Sequence, residues 1–285
     1  MAMPGPLLLV GGGRMGAALL DGWLARGLPA ADTTVIEPDR HRAQDLRKLG
    51  VTVHAEALAL AEGFAPVVLV LAVKPQVMAD VLDELHARLV APSLVVSIAA
   101  GKPLAVFEQS FGSDMPIVRA MPNTPAAIGR GISALFANTA ASAADRDAAE
   151  ALLAAVGDTV WLESEDDMHA VTALSGGGPA YVFLLVEAMA VAGERLGLDA
   201  DLAMRLARKT VAGAAALLES SDTTPASLRQ AVTSPGGTTK AALDVLMPAN
   251  DQFGDETEDE EEPMGLAELM TEALAAAAER SRELG

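Results

Sequence analysis

Leu7-Leu8-Leu9-Val10-Gly11-Gly12-Gly13-Arg14-Met15-Gly16 is the stretch that decides the fold. Four apolar residues without alternation read as a strand buried on both faces, the signature of a parallel sheet rather than a half-solvated hairpin. The following six residues match G-x-G-x-x-G and run into a helical pattern from Ala17 to Arg26. In that spacing Gly11 permits a tight turn, Gly13 lets a pyrophosphate approach the backbone, and Gly16 lets the helix pack on the sheet. The pattern alone is weak, and a glycine-rich turn that merely joins strand to helix is the plain alternative. A strand before it and a helix after it make it a dinucleotide-binding fingerprint, with Arg14 and Met15 as further loop contacts.

Working outward, Thr34–Ile36 reads as a second strand and ends in Glu37, twenty-one residues beyond Gly16. A carboxylate there accepts from the ribose hydroxyls of NADH and repels the 2′-phosphate of NADPH. Arg40 and Arg42 pull the other way, because a nearby guanidinium accommodates that phosphate. The expectation is NADPH or NADH, leaning to NADH. Strands are further expected at Val51–Val53, Val67–Val73, Leu94–Ile98, Ile117–Arg119, Ile132–Phe136 and Thr159–Trp161, with helices at Arg40–Leu49 and Val77–Leu89. Alternation on this scale predicts an α/β fold with an N-terminal Rossmann-type doubly wound parallel sheet.

Beyond Glu163 no strand pattern remains. Met168–Leu196, Asp201–Leu218, Pro225–Val232, Thr239–Leu246 and Leu266–Glu283 are all helical in period. The expected organisation is a dinucleotide-binding domain over 1–163 and an all-α dimerisation domain over 164–285. Ala170–Ala192 and Val211–Leu218 carry so few charges that they need cover on every side. In so small a domain a subunit interface is the expected cover. The segment 249–263 is different: between Asp251 and Glu262 stand eight carboxylates and no cation. Repulsion at that density predicts a mobile solvated insertion.

The 285 residues, 51% of them hydrophobic, are enough for two domains with real cores. There is no Cys, which excludes disulfides, thiolate metal sites and a Cys nucleophile. No two of His41, His54, His86 and His169 stand at metal-ligand spacing, so no metal is expected. A formal net charge of -19 argues against a nucleic-acid partner. The N-terminal apolar run is strand-sized, so neither a signal peptide nor a membrane span is expected, and a cytoplasmic protein is the default.

One more turn carries chemistry. Ser234-Pro235-Gly236-Gly237-Thr238-Thr239 lies between two helical stretches and presents hydroxyls and unpaired N–H groups at a helix start. Such a turn holds a carboxylate or phosphate without Arg or Lys, although a plain capping turn looks the same. With Val232-Thr233 it joins Ala170-Val171-Thr172-Ala173-Leu174-Ser175-Gly176-Gly177-Gly178-Pro179-Ala180-Tyr181-Val182-Phe183 in a pattern that closely resembles the signature of the pyrroline-5-carboxylate reductases. Ala72–Gln76, Arg119–Pro125 and the tail Ala276–Gly285 resemble further motifs of that family, in the same order over nearly the whole chain.

The resemblance implies reduction of 1-pyrroline-5-carboxylate to L-proline by hydride from NAD(P)H, the last step of proline biosynthesis. It implies that Ser234, Gly237, Thr238 and Thr239 bind the substrate carboxylate, and that Thr172 hydrogen-bonds the ring nitrogen. Glu165 falls at a family position near the substrate. Val73, Lys74, Pro75, Ala100 and Asn123 fall at cofactor contacts. Each has a plainer alternative: a helical Thr bonded to its own backbone, a solvated Glu in the run Glu163–Asp167, a salt-bridged surface Lys, an Asn serving its turn. The resemblance also implies a homodimer that assembles further. Three departures stand out: Glu37 where the family often has Ser, Asn or Arg; Ala57 in place of an Asn; and the acidic insertion. Two rival functions are open to the same fold. A β-hydroxyacid-type dehydrogenase needs a Lys after the glycines, and none occurs between Gly178 and Arg195. A non-catalytic redox sensor would tolerate a degraded substrate turn, and Ser234–Thr239 is intact.

Overall fold

The computed structural model describes residues 5–90, 92–248 and 264–284. It separates into two compact units, Met1–Pro179 with Ala277–Gly285, and Ala180–Ala276. The expected acidic insertion at 249–263 lies outside the described residues.

The first unit is built on one eight-stranded sheet, in the order β3-β2-β1-β4-β5-β6-β7-β8. The strands are β1 Leu7–Val10, β2 Thr33–Ile36, β3 Thr52–His54, β4 Val68–Leu71, β5 Leu94–Ser97, β6 Ile117–Met121, β7 Gly131–Ala137 and β8 Gly157–Trp161. The first six run parallel, as a doubly wound sheet requires. β7 is antiparallel to β6, and β8 is parallel to β7. The sheet is therefore mixed and mostly parallel, a refinement that the strand pattern did not reveal. Gly131 follows Met121 by only ten positions, too short a link for the crossover that a parallel strand requires.

The apolar run of β1 is explained by packing on both sides. Leu7 and Leu9 enter one core with Leu19, Leu20 and Trp23 of α1 (Arg14–Ala25). The same core takes Ala43 and Leu46 of α2 (Arg40–Lys48). Leu8 and Val10 enter a second core with Met78, Leu82 and Leu85 of α3 (Met78–His86). Two helices in this unit were not anticipated from sequence. α4 (Leu104–Phe111) buries Phe107 in the second core, and α5 (Ala143–Ala154) buries Leu152 and Leu153 in the first. Trp23, fully buried, donates its indole N–H to the Leu152 carbonyl at 2.8 Å and so ties α1 to α5.

From Asp167 on, every described element is helical. α6 (Asp167–Val171) passes through a wide turn at Thr172–Gly176, closed by the Gly177 N–H donating to the Thr172 carbonyl at 2.9 Å. That five-residue bond is a π-bulge, a feature that concentrates at functional sites. α7 (Gly178–Arg195) follows, then α8 (Ala200–Glu219), α9 (Pro225–Ala231), α10 (Thr238–Leu246) and α11 (Leu266–Glu283). Within the second unit, Gly193 lets α7 approach α8 closely, since a Cβ there would stand 3.2 Å from that of Ala203. Among α7 residues only Ala190 is buried, while Phe183, Leu184 and Leu185 are exposed. The apolar faces expected to need cover are thus bare in a single chain.

Candidate active site

The first six strands end at one edge of the sheet, and the order reverses between β1 and β4. Open α/β sheets bind ligands at that edge and at that switch point. A cleft of ≈ 290 Å³ lies there, lined by Met15, Ala72–Pro75, Ile98–Ala100, Met121–Thr124 and Gly176. Of the residues expected at the cofactor, it brings together Met15, Val73, Lys74, Pro75, Ala100 and Asn123.

The glycine loop beside the cleft behaves as its spacing demands. Gly11 has φ +102°, and a Cβ there would strike the Ala72 carbonyl oxygen at 2.6 Å. A Cβ on Gly16 would fall 1.9 Å from the Gly11 carbonyl oxygen, so only glycine lets α1 start here. Around Gly13 there is open space, with nothing within 4 Å of an added Cβ. Gly13 is also the N-cap of α1 and no side chain caps it. The first N–H groups of the helix, those of Arg14 and Met15 among them, therefore point into an open cradle. Donors so arranged, with the helix dipole behind them, suit a pyrophosphate.

Glu37 is 4% exposed. Its Oε2 accepts from the Gly12 N–H at 2.9 Å and its Oε1 from the Asp39 N–H at 2.8 Å. The carboxylate is thus fixed between the glycine loop and the start of α2. It lines a second cavity, ≈ 510 Å³, with Pro38, Arg40, Ala43, Gln44, Arg47 and Ala55. Arg47 is occupied, donating to the Val53 carbonyl at 3.0 Å. Asp39 caps α2, and the Arg42 N–H it accepts holds its carboxyl below the usual carboxylate range.

Lys74 follows β4 at the mouth of the cleft, and it has no ion pair among the described residues. Asn123 does serve its turn, because its Oδ1 accepts from the Ile132 N–H at 3.0 Å, yet it also lines the cleft. Thr172 donates its hydroxyl to the Met168 carbonyl at 2.7 Å. It sits one turn before Gly176, whose missing side chain admits Met121: a Cβ there would lie 2.5 Å from the Met121 Cε.

Glu165 is neither free in solvent nor on the cleft wall. Its Oε1 accepts from the buried Arg119 at 2.5 Å and from the Leu104 N–H, the first of α4, at 2.7 Å. Met121 and Ala99 are cleft residues that the sequence did not single out, while Gly176, read with Gly177 and Gly178 as a place where the helix bends beside the nicotinamide, lines the cleft. The signal for Met121 was its place in the quoted motif Arg119–Pro125 at a strand's carboxyl end. Ser234, Gly237, Thr238 and Thr239 belong to the second unit. There Gly236 takes φ +68°, Gly237 is the N-cap of α10, and no side chain caps that helix. The Gly237 N–H donates to the Ser234 carbonyl at 3.0 Å, closing the turn and leaving the next N–H groups exposed.

A family model described as pyrroline-5-carboxylate reductase dimerisation matches residues 165–254. One described as NADP oxidoreductase, coenzyme F420-dependent, matches residues 7–101. A pyrroline-5-carboxylate reductase from Pseudomonas aeruginosa is 44% identical over 282 residues, covering 98% of this chain and 96% of that protein. The chain belongs to the pyrroline-5-carboxylate reductase family.

The solved reductase of Coxiella burnetii is similar with a TM-score of 0.84 at 36% identity, covering 99% of this chain and 98% of that one. The Plasmodium falciparum pyrroline carboxylate reductase, solved with NADP bound, is similar with a TM-score of 0.77 at 26% identity, covering 98% and 97%. This chain is therefore a pyrroline-5-carboxylate reductase, an enzyme of proline biosynthesis with an NAD(P)-binding domain. The two rival functions fall. The dimerisation match implies a homodimer, and it bears on the apolar run Asp167–Arg195. That run is long and apolar enough to cross a membrane by length and composition alone, with a mean hydropathy of 1.4 over an 18-residue window. A partner subunit gives the same surface a cover.

Proposed function

We propose that this pyrroline-5-carboxylate reductase delivers hydride to the C=N carbon of 1-pyrroline-5-carboxylate in the cleft at the carboxyl edge of the sheet. The observation that carries the reading is the open, uncapped helix start at Gly13 beside that cleft. The bound nicotinamide nucleotide supplies the hydride. Gly11, Gly13 and Gly16, with the N–H groups of Arg14 and Met15, hold the pyrophosphate. Val73, Lys74, Pro75, Ala100 and Asn123 frame the nicotinamide end. Glu37 accepts from the adenosine ribose hydroxyls, and its fixed carboxylate faces any 2′-phosphate, so the enzyme prefers NADH to NADPH.

The substrate's protonated ring C=N is already electrophilic. Hydride addition to its carbon turns the iminium into the amine of proline with no further proton needed, so positioning suffices. The turn of Ser234, Gly237, Thr238 and Thr239 takes the substrate carboxylate. Gly237 closes the turn through its bond to the Ser234 carbonyl, and the exposed N–H groups that follow it, with the hydroxyls of Ser234, Thr238 and Thr239, are the donors. A helix-terminal cradle also rejects neutral analogues, whose binding would leave its donors unpaired. Thr172 meets the ring nitrogen. Its hydroxyl proton is committed to the Met168 carbonyl, so the oxygen is free to accept, which suits a protonated imine. Glu165 acts at one remove, through Arg119 and the start of α4.

Residues 1–163 serve as the dinucleotide-binding domain and 164–285 as the dimerisation and substrate domain. Dimers assemble into a larger cytoplasmic homo-oligomer. Thr239→Val tests the carboxylate cradle. The expected result is a KM for pyrroline-5-carboxylate raised about tenfold, the loss of one charge-assisted hydrogen bond, with nucleotide affinity unchanged. An unchanged KM would refute the role.

A further inference from the structure

We propose that the C-terminal end of α11 together with the next residue, Leu284, is a positioning element of the cleft. It clamps Gly101 of the loop that faces the nucleotide and, through His169, the turn that carries Thr172. The inference rests on the reading of the cleft as the nucleotide site.

The loop from β5 to α4 places Ala99 and Ala100 on the cleft wall. The next residue, Gly101, is buried, with φ +75°. A Cβ there would stand 2.8 Å from the Leu284 Cβ and 3.1 Å from the Ser281 carbonyl oxygen. The C-terminal turn therefore lies directly on the backbone of this loop, and only glycine leaves room for it. On the loop's far side the Leu104 N–H is held by Glu165 at 2.7 Å. The loop is thus pinned at Gly101 and again at Leu104, and Ala99 and Ala100 have little freedom between β5 and the first pin.

The same turn reaches a second rim. Ser281 is 3% exposed, and its Oγ lies 3.0 Å from the His169 Nδ1. His169 stands on α6, three residues before Thr172, where the wide turn that ends at the cleft residue Gly176 begins. A buried hydroxyl so paired fixes the rotation of α6 about its axis and hence the direction of Thr172. One element at the far end of the chain thereby sets the spacing between the loop that meets the nucleotide and the turn that meets the substrate. Misplacements well under a side-chain length are enough to lose rate in such a site.

The two contacts predict two separable effects. Leu284→Ala loosens Gly101 and should raise the Kd and KM for the nucleotide about threefold, with kcat at saturation near that of the parent enzyme. Ser281→Ala frees His169 and should lower kcat about threefold with nucleotide Kd unchanged. A chain ending at Arg280 should show both effects, about tenfold each. Nucleotide Kd is read from the fluorescence of bound NADH or NADPH without turnover, so it stands even if the parent enzyme forms no proline. The latter result would defeat the proposed function and not the Gly101 clamp. Melting temperatures are read alongside. A lower melting temperature with unchanged Kd and kcat of the folded enzyme would overturn the inference, since the turn would then only add stability. Unchanged values throughout would overturn it as well. If the shortened chain does not fold, the two single substitutions decide on the same readings.

Discussion

In the proposed function, Glu37 concentrates in one carboxylate the choice between NADH and NADPH. Buried and held by the Gly12 and Asp39 N–H groups, its carboxylate is fixed in one place, and the proposal sets it against a 2′-phosphate. Glu37→Ser should therefore move the ratio of kcat/KM for NADPH over NADH upward about tenfold, roughly 1.4 kcal/mol, and an unmoved ratio would remove Glu37 as selector. Thr172→Val removes the acceptor that the proposed mechanism offers to the iminium. It should lower kcat about a hundredfold with little change in nucleotide KM, while Thr172→Ser stays active. Glu165→Ala leaves the buried Arg119 without its partner and α4 without its first acceptor. It should lower stability by about 2 kcal/mol in denaturant titration, a value set low because the carboxylate is 29% exposed. If instead the KM for substrate rose with stability intact, Glu165 would be a direct substrate contact. The glycines were legible in the sequence because their spacing is local: Gly11 and Gly16 avoid clashes with Ala72 and with their own loop, and Gly13 leaves the helix start open. The pairing of Glu165 was not, because its partners Leu104 and Arg119 are 61 and 46 residues away. No short pattern encodes that meeting.

At the scale of elements, strands were legible where both faces are buried, as in Leu7–Val10 and Val68–Leu71. An uninterrupted apolar run of four (Leu7–Val10) or seven (Val67–Val73), bounded by turn residues, is too short for a buried helix and fits little besides such a strand. Strand direction was not legible. Ile132–Phe136 reads the same whether parallel or antiparallel, and the short link from Met121 was the only clue. α5 was missed although its start is well marked. Ser142 and Asp145 form a reciprocal capping box, each side chain taking the other's backbone N–H. Ser142→Ala should cost about 1 kcal/mol, seen as a lower denaturant midpoint with an unchanged slope; no shift would mean that packing of Leu152 and Leu153 alone fixes α5. The start of α2 gives a pH dependence of definite sign. The folded pKa of Asp39 is depressed by the Arg42 N–H. Its contribution is therefore present above the ordinary carboxylate range and lost as pH falls through the folded value. Asp39→Ala should flatten the acid limb of the stability profile, and a limb of unchanged steepness would place the loss elsewhere.

The whole molecule joins a sheet built from its own chain to helices whose apolar faces need a second one. Exposed Phe183, Leu184 and Leu185, within the dimerisation match at 165–254, locate that need. It was legible from the scarcity of charge along Ala170–Ala192, whereas the size of the assembly leaves no mark on one chain. Phe183→Asp should shift the protein to a smaller species in sedimentation and reduce turnover with it; an unchanged sedimentation coefficient would move the interface off α7. Removing Asp251–Glu262, all outside the residues assigned to cofactor or substrate, should leave turnover within about twofold, as expected for a self-repelling segment. A large loss would make that segment functional. The chemistry assigned to the cleft is tested most directly by following proline and oxidised nucleotide together when the enzyme meets pyrroline-5-carboxylate with NADH and, in parallel, with NADPH. One proline formed per nucleotide oxidised, faster with NADH, is the predicted result. Nucleotide bound with no proline formed would contradict it.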